Sequence, residues 1–226
     1  MPPRKANNPY LLLVEGTDDS AVIRHLLLRH GYDWEDAGRL RPYVQAFDGV
    51  EKLLAALPQE LKSSGLQRLG VVLDVDAQPG GRWQALCDRA AQAGVALPDK
   101  PDPDGTRVAG RLPGTELGLW LMPDNRTSGT LEHFVETLVP AADPCWSDAQ
   151  HSARQAQARY GEKGCAEVDL LKSGLYTWLA WQREPGRPFG TALTAHFLGH
   201  DSPQARAFVG WFQRLFPPRL PAPALS

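Results

Sequence analysis

No stretch of this sequence approaches the roughly 18 consecutive apolar residues that a bilayer-spanning helix needs, so no membrane partner is expected. Cysteine is scarce. Cys87, Cys145 and Cys165 are odd in number and widely spaced, which supports neither a disulfide framework nor a Cys-x-x-Cys zinc site. A reducing, cytoplasmic setting is the expected home. The opening MPPRKANNPYLLLVEG puts charge before a short apolar run. That run has no small-residue cleavage site and leads directly into acidic residues, so a buried strand is expected there rather than a signal peptide. No GxxxxGK[ST] occurs, which excludes nucleotide binding through a P-loop. An excess of one charge is lacking too: 24 Lys and Arg stand against 26 Asp and Glu, a net charge of −2. That balance argues against a dedicated nucleic-acid coat.

What is present is an ordinary globular composition, 42% hydrophobic and 22% charged over 226 residues, enough for one large domain or one domain with an appendage. The charge is unevenly placed. Residues 1–150 hold 15 Lys and Arg against 21 Asp and Glu, and residues 151–226 hold 9 against 5. An acidic part suits metal-binding carboxylates and a basic part suits an anionic substrate, although ordinary surface variation gives the same pattern.

Four short apolar runs bounded by Gly, Pro or Asp read as buried strands: Tyr10–Val14, Tyr43–Phe47, Leu69–Leu73 and Leu117–Met122. Helical patterning follows each. Asp18 or Asp19 caps a helix with Val22, Ile23, Leu26 and Leu27 on one stripe, ended by Gly31. Asp48 precedes Val50, Leu53, Leu54 and Leu57, with Pro58 as the expected stop. Further helices are expected over Arg82–Ala93 and Leu131–Val139. Strands alternating with helices imply an α/β fold with a mainly parallel sheet of about four strands. Residues 99–114, rich in Pro and Gly, read as a loop or a small ribbon insertion. Beyond Ala141 the helical patterns 147–160, 168–182, 192–198 and 204–216 lead to a Pro-rich tail. The expected organisation is therefore an α/β domain over 1–140 with a helical C-terminal extension over 141–226 packed on it.

The chemistry sits at the strand ends. In a parallel sheet, functional residues gather at the carboxyl edge. There the first strand delivers Glu15, with Asp18 and Asp19 in the following turn. The third delivers Asp74 and Asp76, and the fourth delivers Asp124, with Glu132 in the next helix. Alternation along an extended chain sends Asp74 and Asp76 to the same side, where they can share one cation. Mg²⁺, or Mn²⁺ in its place, takes such oxygen ligands. Each acid also has a plainer role to fill. Asp18 and Asp19 suit helix caps, Asp124 suits its Pro-Asp-Asn turn, and Glu132 suits the positive end of a helix dipole. Glu15 and Asp74 follow buried runs directly, where a lone charge is costly without a partner.

LLLVEGTDDSAVI and GVVLDVDAQPGGRW resemble the two acidic motifs of Toprim domains, a Glu-Gly after the first strand and an Asp-x-Asp after the third. Toprim domains occur in topoisomerases, primases and the OLD (overcoming lysogenization defect) family nucleases. LWLMPDNRTSGTLEHFV, LYTWLAWQREPGRPFGTAL and FVGWFQRLF resemble an uncharacterised bacterial domain-of-unknown-function family (numbered 3226) related to Toprim. The resemblance implies a Toprim/Rossmann-like sheet and Mg²⁺ (or Mn²⁺) held by Glu15, Asp74 and Asp76, with Asp19 at a further motif position; Asp124 and Glu132 stay additional candidates from their places at the strand ends. It also implies Glu15 as general acid or base. OLD-type nucleases are similar in placing a catalytic Lys beyond the acidic motifs, a role that would fall to Lys172. The acid-rich third motif is thinner here than is usual, with Gln78 near the place of a further Asp.

The function expected from this is metal-dependent phosphodiester cleavage or phosphotransfer, with nuclease action on DNA or RNA foremost. The alternative is a catalytically weak Toprim-like module that binds a metal or nucleotide and recruits a partner. A receiver-like phosphoacceptor also places acids at strand ends, but it lacks the long helical tail. Expected partners are a nucleic acid or another phosphoester ligand, and a homodimer is compatible with the sequence. Arg82 and Arg126 follow two of the acidic turns and are in reach of phosphates or carboxylates. His151, His196 and His200 share no metal-ligand spacing.

Overall fold

The computed structural model describes residues 8–35, 41–75, 79–163 and 166–217. Asp76 and Gln78, Cys165 and the Pro-rich tail lie outside the described residues. The described chain contains the strands β1 (Tyr10–Val14), β2 (Tyr43–Ala46), β3 (Arg68–Asp74), β4 (Thr106–Ala109) and β5 (Glu116–Met122). Its helices are α1 (Thr17–Arg29), α2 (Val50–Glu60), α3 (Pro79–Ala91), α4 (Leu131–Glu136), α5 (Pro144–Tyr160), α6 (Leu170–Ala180), α7 (Phe189–Thr194) and α8 (Pro203–Leu215).

Continuous apolar runs become strands because both faces of the sheet are covered. The odd-numbered Leu11, Leu13, Leu69, Val71, Leu117 and Leu119 pack in one core with the Leu53 and Leu57 face of α2 and Leu86 of α3. The even-numbered Leu12, Val14, Val72, Trp120 and Met122 pack in the other, against α1 and the C-terminal helices. This is the period-two alternation of a pleated strand serving two apolar layers at once. The second layer takes Leu175 and Trp178 from α6, Leu193 from α7, and Phe208, Trp211 and Leu215 from α8. The helices after residue 141 thus share one core with the sheet. No helix of the described residues is long and apolar enough to cross a membrane.

The strand order is β2-β1-β3-β5-β4. The first four in that order run parallel, and β4 pairs antiparallel with β5. The fold is thus mixed α/β with five strands, one more than the four runs in the sequence suggest. The extra strand falls inside the Pro- and Gly-rich 99–114 segment, whose ribbon form is realised as the edge hairpin. Its signal is short and half-exposed, so pairing with β5 and burial of Thr106 decide it rather than any apolar run. Pro58 does not stop its helix. It sits in the last turn of α2, where buried Leu57 and Leu61 hold the chain and the Leu61 amide still donates to the Leu57 carbonyl.

Two glycines explain how α8 reaches the sheet. Gly70 and Gly118 are register partners on β3 and β5. A Cβ at Gly118 would lie 2.4 Å from Leu215, and one at Gly70 would lie 2.7 Å from Leu12 and 3.1 Å from Phe216. The bare backbone makes the hollow that the end of α8 fills. Gly118→Val is therefore expected to destabilise the fold by about 1–3 kcal/mol through overpacking. A urea titration checks this, with a lowered midpoint at unchanged slope.

Candidate functional site

The strand order places a topological switch between β1 and β3, because the chain leaves β1 toward one edge and returns to β3 on the other side. Crevices form outside the carboxyl ends of strands at such points. Glu15 leaves β1 here and Asp74 ends β3. The Asp74 amide donates to Glu15 Oε2 at 3.4 Å, which ties the two strand exits together. Asp19 is drawn in from the first turn of α1, where its Oδ2 accepts from the Gly16 amide at 3.0 Å.

The third contributor is the segment after β5. Asn125 closes a tight turn: its amide donates to the Leu121 carbonyl at 2.8 Å and its Oδ1 accepts from the Leu121 amide at 2.7 Å. Its φ of 62° is in the left-handed region, where Asn is tolerated. The chain then bridges back to the end of β3, with the Val75 amide on the Gly129 carbonyl at 2.9 Å and the Gly129 amide on the Val75 carbonyl at 2.6 Å. That bridge lets the Leu131 amide donate to the Asp74 carboxyl and brings Glu132 to the crevice.

The resulting cleft of about 350 Å³ is lined by six carboxylates, those of Glu15, Asp18, Asp19, Asp48, Asp74 and Glu132, and by the ammonium of Lys172. Its electrostatics are uneven. Burial, with Glu15 alongside, pushes Asp19 up to about 7. Burial and the nearby Asp19, Glu15 and Glu132 push Asp74 up to about 8. Burial also pushes Glu132 up, but hydrogen bonds from the Thr130 hydroxyl at 2.7 Å and from Lys172 outweigh it and hold the carboxyl below its ordinary value. Lys172 Nζ lies 3.1 Å from Glu132 Oε1, which raises the lysine further. The crevice therefore contains two acids that resist ionisation beside one anion that already has its cation.

Asp19 Oδ1 and Asp74 Oδ1 are both buried with no hydrogen-bond partner. Desolvated carboxylate oxygens without donors are relieved by a proton or by a cation, and hard oxygen ligands of this kind suit Mg²⁺ or Mn²⁺. Among the described residues no group of three or more His, Cys, Asp or Glu is placed to hold a metal ion as it stands. Asp76, the remaining acid of the Asp-x-Asp pair, lies outside the described residues.

Of the acids read from the sequence, Glu15, Asp19, Asp74 and Glu132 meet at this cleft, with Lys172 reaching it from α6. Asp124 does not line it. Its Oδ1 accepts from the Arg126 amide at 3.0 Å and from the amide and hydroxyl of Thr127 at 2.9 and 3.0 Å, organising its own turn. Arg82 and Arg126 line neither this cleft nor the larger one beside it. His200 lies at the far end of α1, where its Nδ1 faces Arg29 Nη2 at 2.8 Å.

A larger cavity of about 640 Å³ adjoins the cleft and shares Asp74, Glu132 and Lys172 with it. Sequence reasoning missed its walls, which include His133, Val168 and Asp169. The signal was faint. Thr130 and His133 stand three apart at a helix start, as in a capping pair, and here the Thr130 amide donates to His133 Nδ1 at 3.1 Å. Val168 reads as the first apolar residue of a helix, yet it precedes α6 and is 88% exposed.

No curated protein and no solved structure matches the chain. A family model described as "Protein of unknown function (DUF3226)" matches residues 9–217, nearly the whole sequence. The span includes every strand and helix around the cleft, and this chain belongs to that family.

Proposed function

We propose that this protein is a Mg²⁺- or Mn²⁺-dependent enzyme of Toprim type that cleaves or transfers phosphodiesters, acting as a nuclease. The observation that carries the reading is the pair of buried, unpartnered oxygens of Asp19 and Asp74 at the switch point, within a carboxylate-lined cleft that also contains a lysine. Glu15, Asp19 and Asp74 would hold the ion. When bound, the ion supplies positive charge beside a phosphate and makes a water more acidic.

The chain's own groups account for the rest. Glu15, at the strand exit and held by the Asp74 amide, would accept a proton from water. Lys172, about half exposed, presents an ammonium to the charge that develops on the phosphoryl oxygens. Its partner Glu132, 3.1 Å away, keeps it beside the cleft.

The test is incubation of the protein with single-stranded and duplex DNA and RNA, each with and without Mn²⁺. Metal-dependent cleavage of any of these supports the reading. Metal binding with no cleavage of any substrate would leave a binding module that recruits a partner, a role compatible with a Lys172 already engaged by Glu132. Lys172→Ala is expected to lower turnover about 10²-fold, the scale of one lost charge-stabilising donor. It should leave Mn²⁺-induced thermal stabilisation intact, since Lys172 does not hold the ion; scanning fluorimetry with and without Mn²⁺ checks that half.

A further inference from the structure

The larger cavity shares Asp74, Glu132 and Lys172 with the cleft. Its volume of about 640 Å³ falls within the range of small-molecule sites. Three carboxylates, those of Asp74, Glu132 and Asp169, line it against the single ammonium of Lys172. The cation of the reading above would lie on the cleft side, among Glu15, Asp19 and Asp74, and would draw the phosphate there, which leaves this cavity, with no such cation, to a neutral group.

The walls describe that neutral group further. Val168 presents an apolar surface that is 88% exposed, and Leu171, partly buried against the core, lines the cavity with it. His133 supplies a flat ring. Its Nδ1 is taken up by the Thr130 amide at 3.1 Å, which leaves the Nε2 edge of the ring for a ligand. The Ser128 hydroxyl and the Asp169 carboxylate add further polar edges. An apolar face, an imidazole and paired donors and acceptors suit a flat heterocycle bearing its own donors and acceptors. A Cβ at Gly129 would lie 3.0 Å from His133 Cγ, so the bare glycine is what lets the ring lie against the bridged backbone.

We propose that this cavity is a nucleoside subsite, taking the base and sugar attached to a phosphate at Lys172, an assignment that rests on the phosphate-handling reading above. The substrate's discrimination would then come from Val168 and His133, and the acids of the cleft would be indifferent to the base.

The experiment compares two probes that differ only in the base, thymidine monophosphate and 2-deoxyribose 5-phosphate. Both are titrated calorimetrically into the full chain with Ca²⁺ in place of Mg²⁺. Thymidine monophosphate is expected to bind about tenfold more tightly, the scale of one stacked base. His133→Ala and Val168→Asp should each reduce that ratio toward one. Both ligands carry the same phosphate, so changes in overall charge cancel in the ratio. The exposed Val168→Asp variant guards against loss of the Thr130–His133 turn in the other. Equal binding of the two probes by the parent chain, or an unchanged ratio in both variants, overturns the subsite. Failure of the function reading looks different: neither probe binds, and Mn²⁺ gives no thermal shift. Binding of the sugar phosphate with no preference for the base sinks the subsite alone.

Discussion

Asp74→Asn should abolish Mn²⁺-dependent cleavage while leaving the metal-free protein as stable as the parent, or more so. The substitution keeps the shape of the side chain and lets its oxygen go on accepting from the Leu131 amide. It removes the anionic oxygen that would meet the ion, for a loss of about 10²-fold or more in turnover. Stability moves the other way for an electrostatic reason. Asp74 sits with Glu15, Asp19 and Glu132 around it, and its carboxyl is pushed up to about 8. Near pH 8 the parent must either ionise a buried acid among other acids or retain a proton that solution would take. The amide does neither. Stabilisation by Mn²⁺ should shrink in the same variant, since an ion that binds only the folded state raises stability by mass action. Cleavage that survives Asp74→Asn would place the chemistry elsewhere.

The metal-free parent should lose stability as pH rises. In the unfolded chain Asp19 and Asp74 titrate near 3.8; folded, they are pushed up to about 7 and about 8. Between those limits the folded state binds more protons than the unfolded state, so the unfolding free energy falls as pH increases. The contribution is fully present below about pH 4, is lost progressively through the neutral range, and is gone above about 8. The loss is up to about 1.4 kcal/mol per pH unit for each group. His25 and His200 are held below their ordinary value of 6.5, chiefly by burial. They destabilise the fold only as pH falls below about 6.5, so the interval from 6.5 to 8.5 isolates the carboxylates. Across it the melting temperature should drop by several degrees, at about 2–4 °C per kcal/mol for a chain of this size. The drop should be smaller in Asp74→Asn and smaller again with saturating Mg²⁺, which replaces the protons. A melting temperature that is flat or rising over this interval in chelator would mean that the two acids are not held neutral together.

The sequence alone carried the repeated βα pattern, and with it the edge where chemistry would sit. In a parallel sheet the acid after an apolar run has one place to go, so Glu15 and Asp74 are legible in the sequence itself as strand-exit carboxylates. The stripe of Val22, Ile23, Leu26 and Leu27 likewise determined the buried face of α1. These are local periodicities, and local periodicity survives in one dimension.

What only the tertiary structure decided are the relations between segments far apart in the chain. Asp19 and Asp124 look alike as turn acids. The Gly16 amide draws Asp19 into the crevice, whereas Asp124 spends its oxygen on Arg126 and Thr127. Lys172 reaches Glu132 because α6 packs in the same layer as α1 and α4. The larger cavity exists because Val75 and Gly129 bridge two loops and leave room beside the residues that precede α6. Burial, pairing and shifted ionisation depend on which side chains share a volume, and a linear pattern of residues does not specify that.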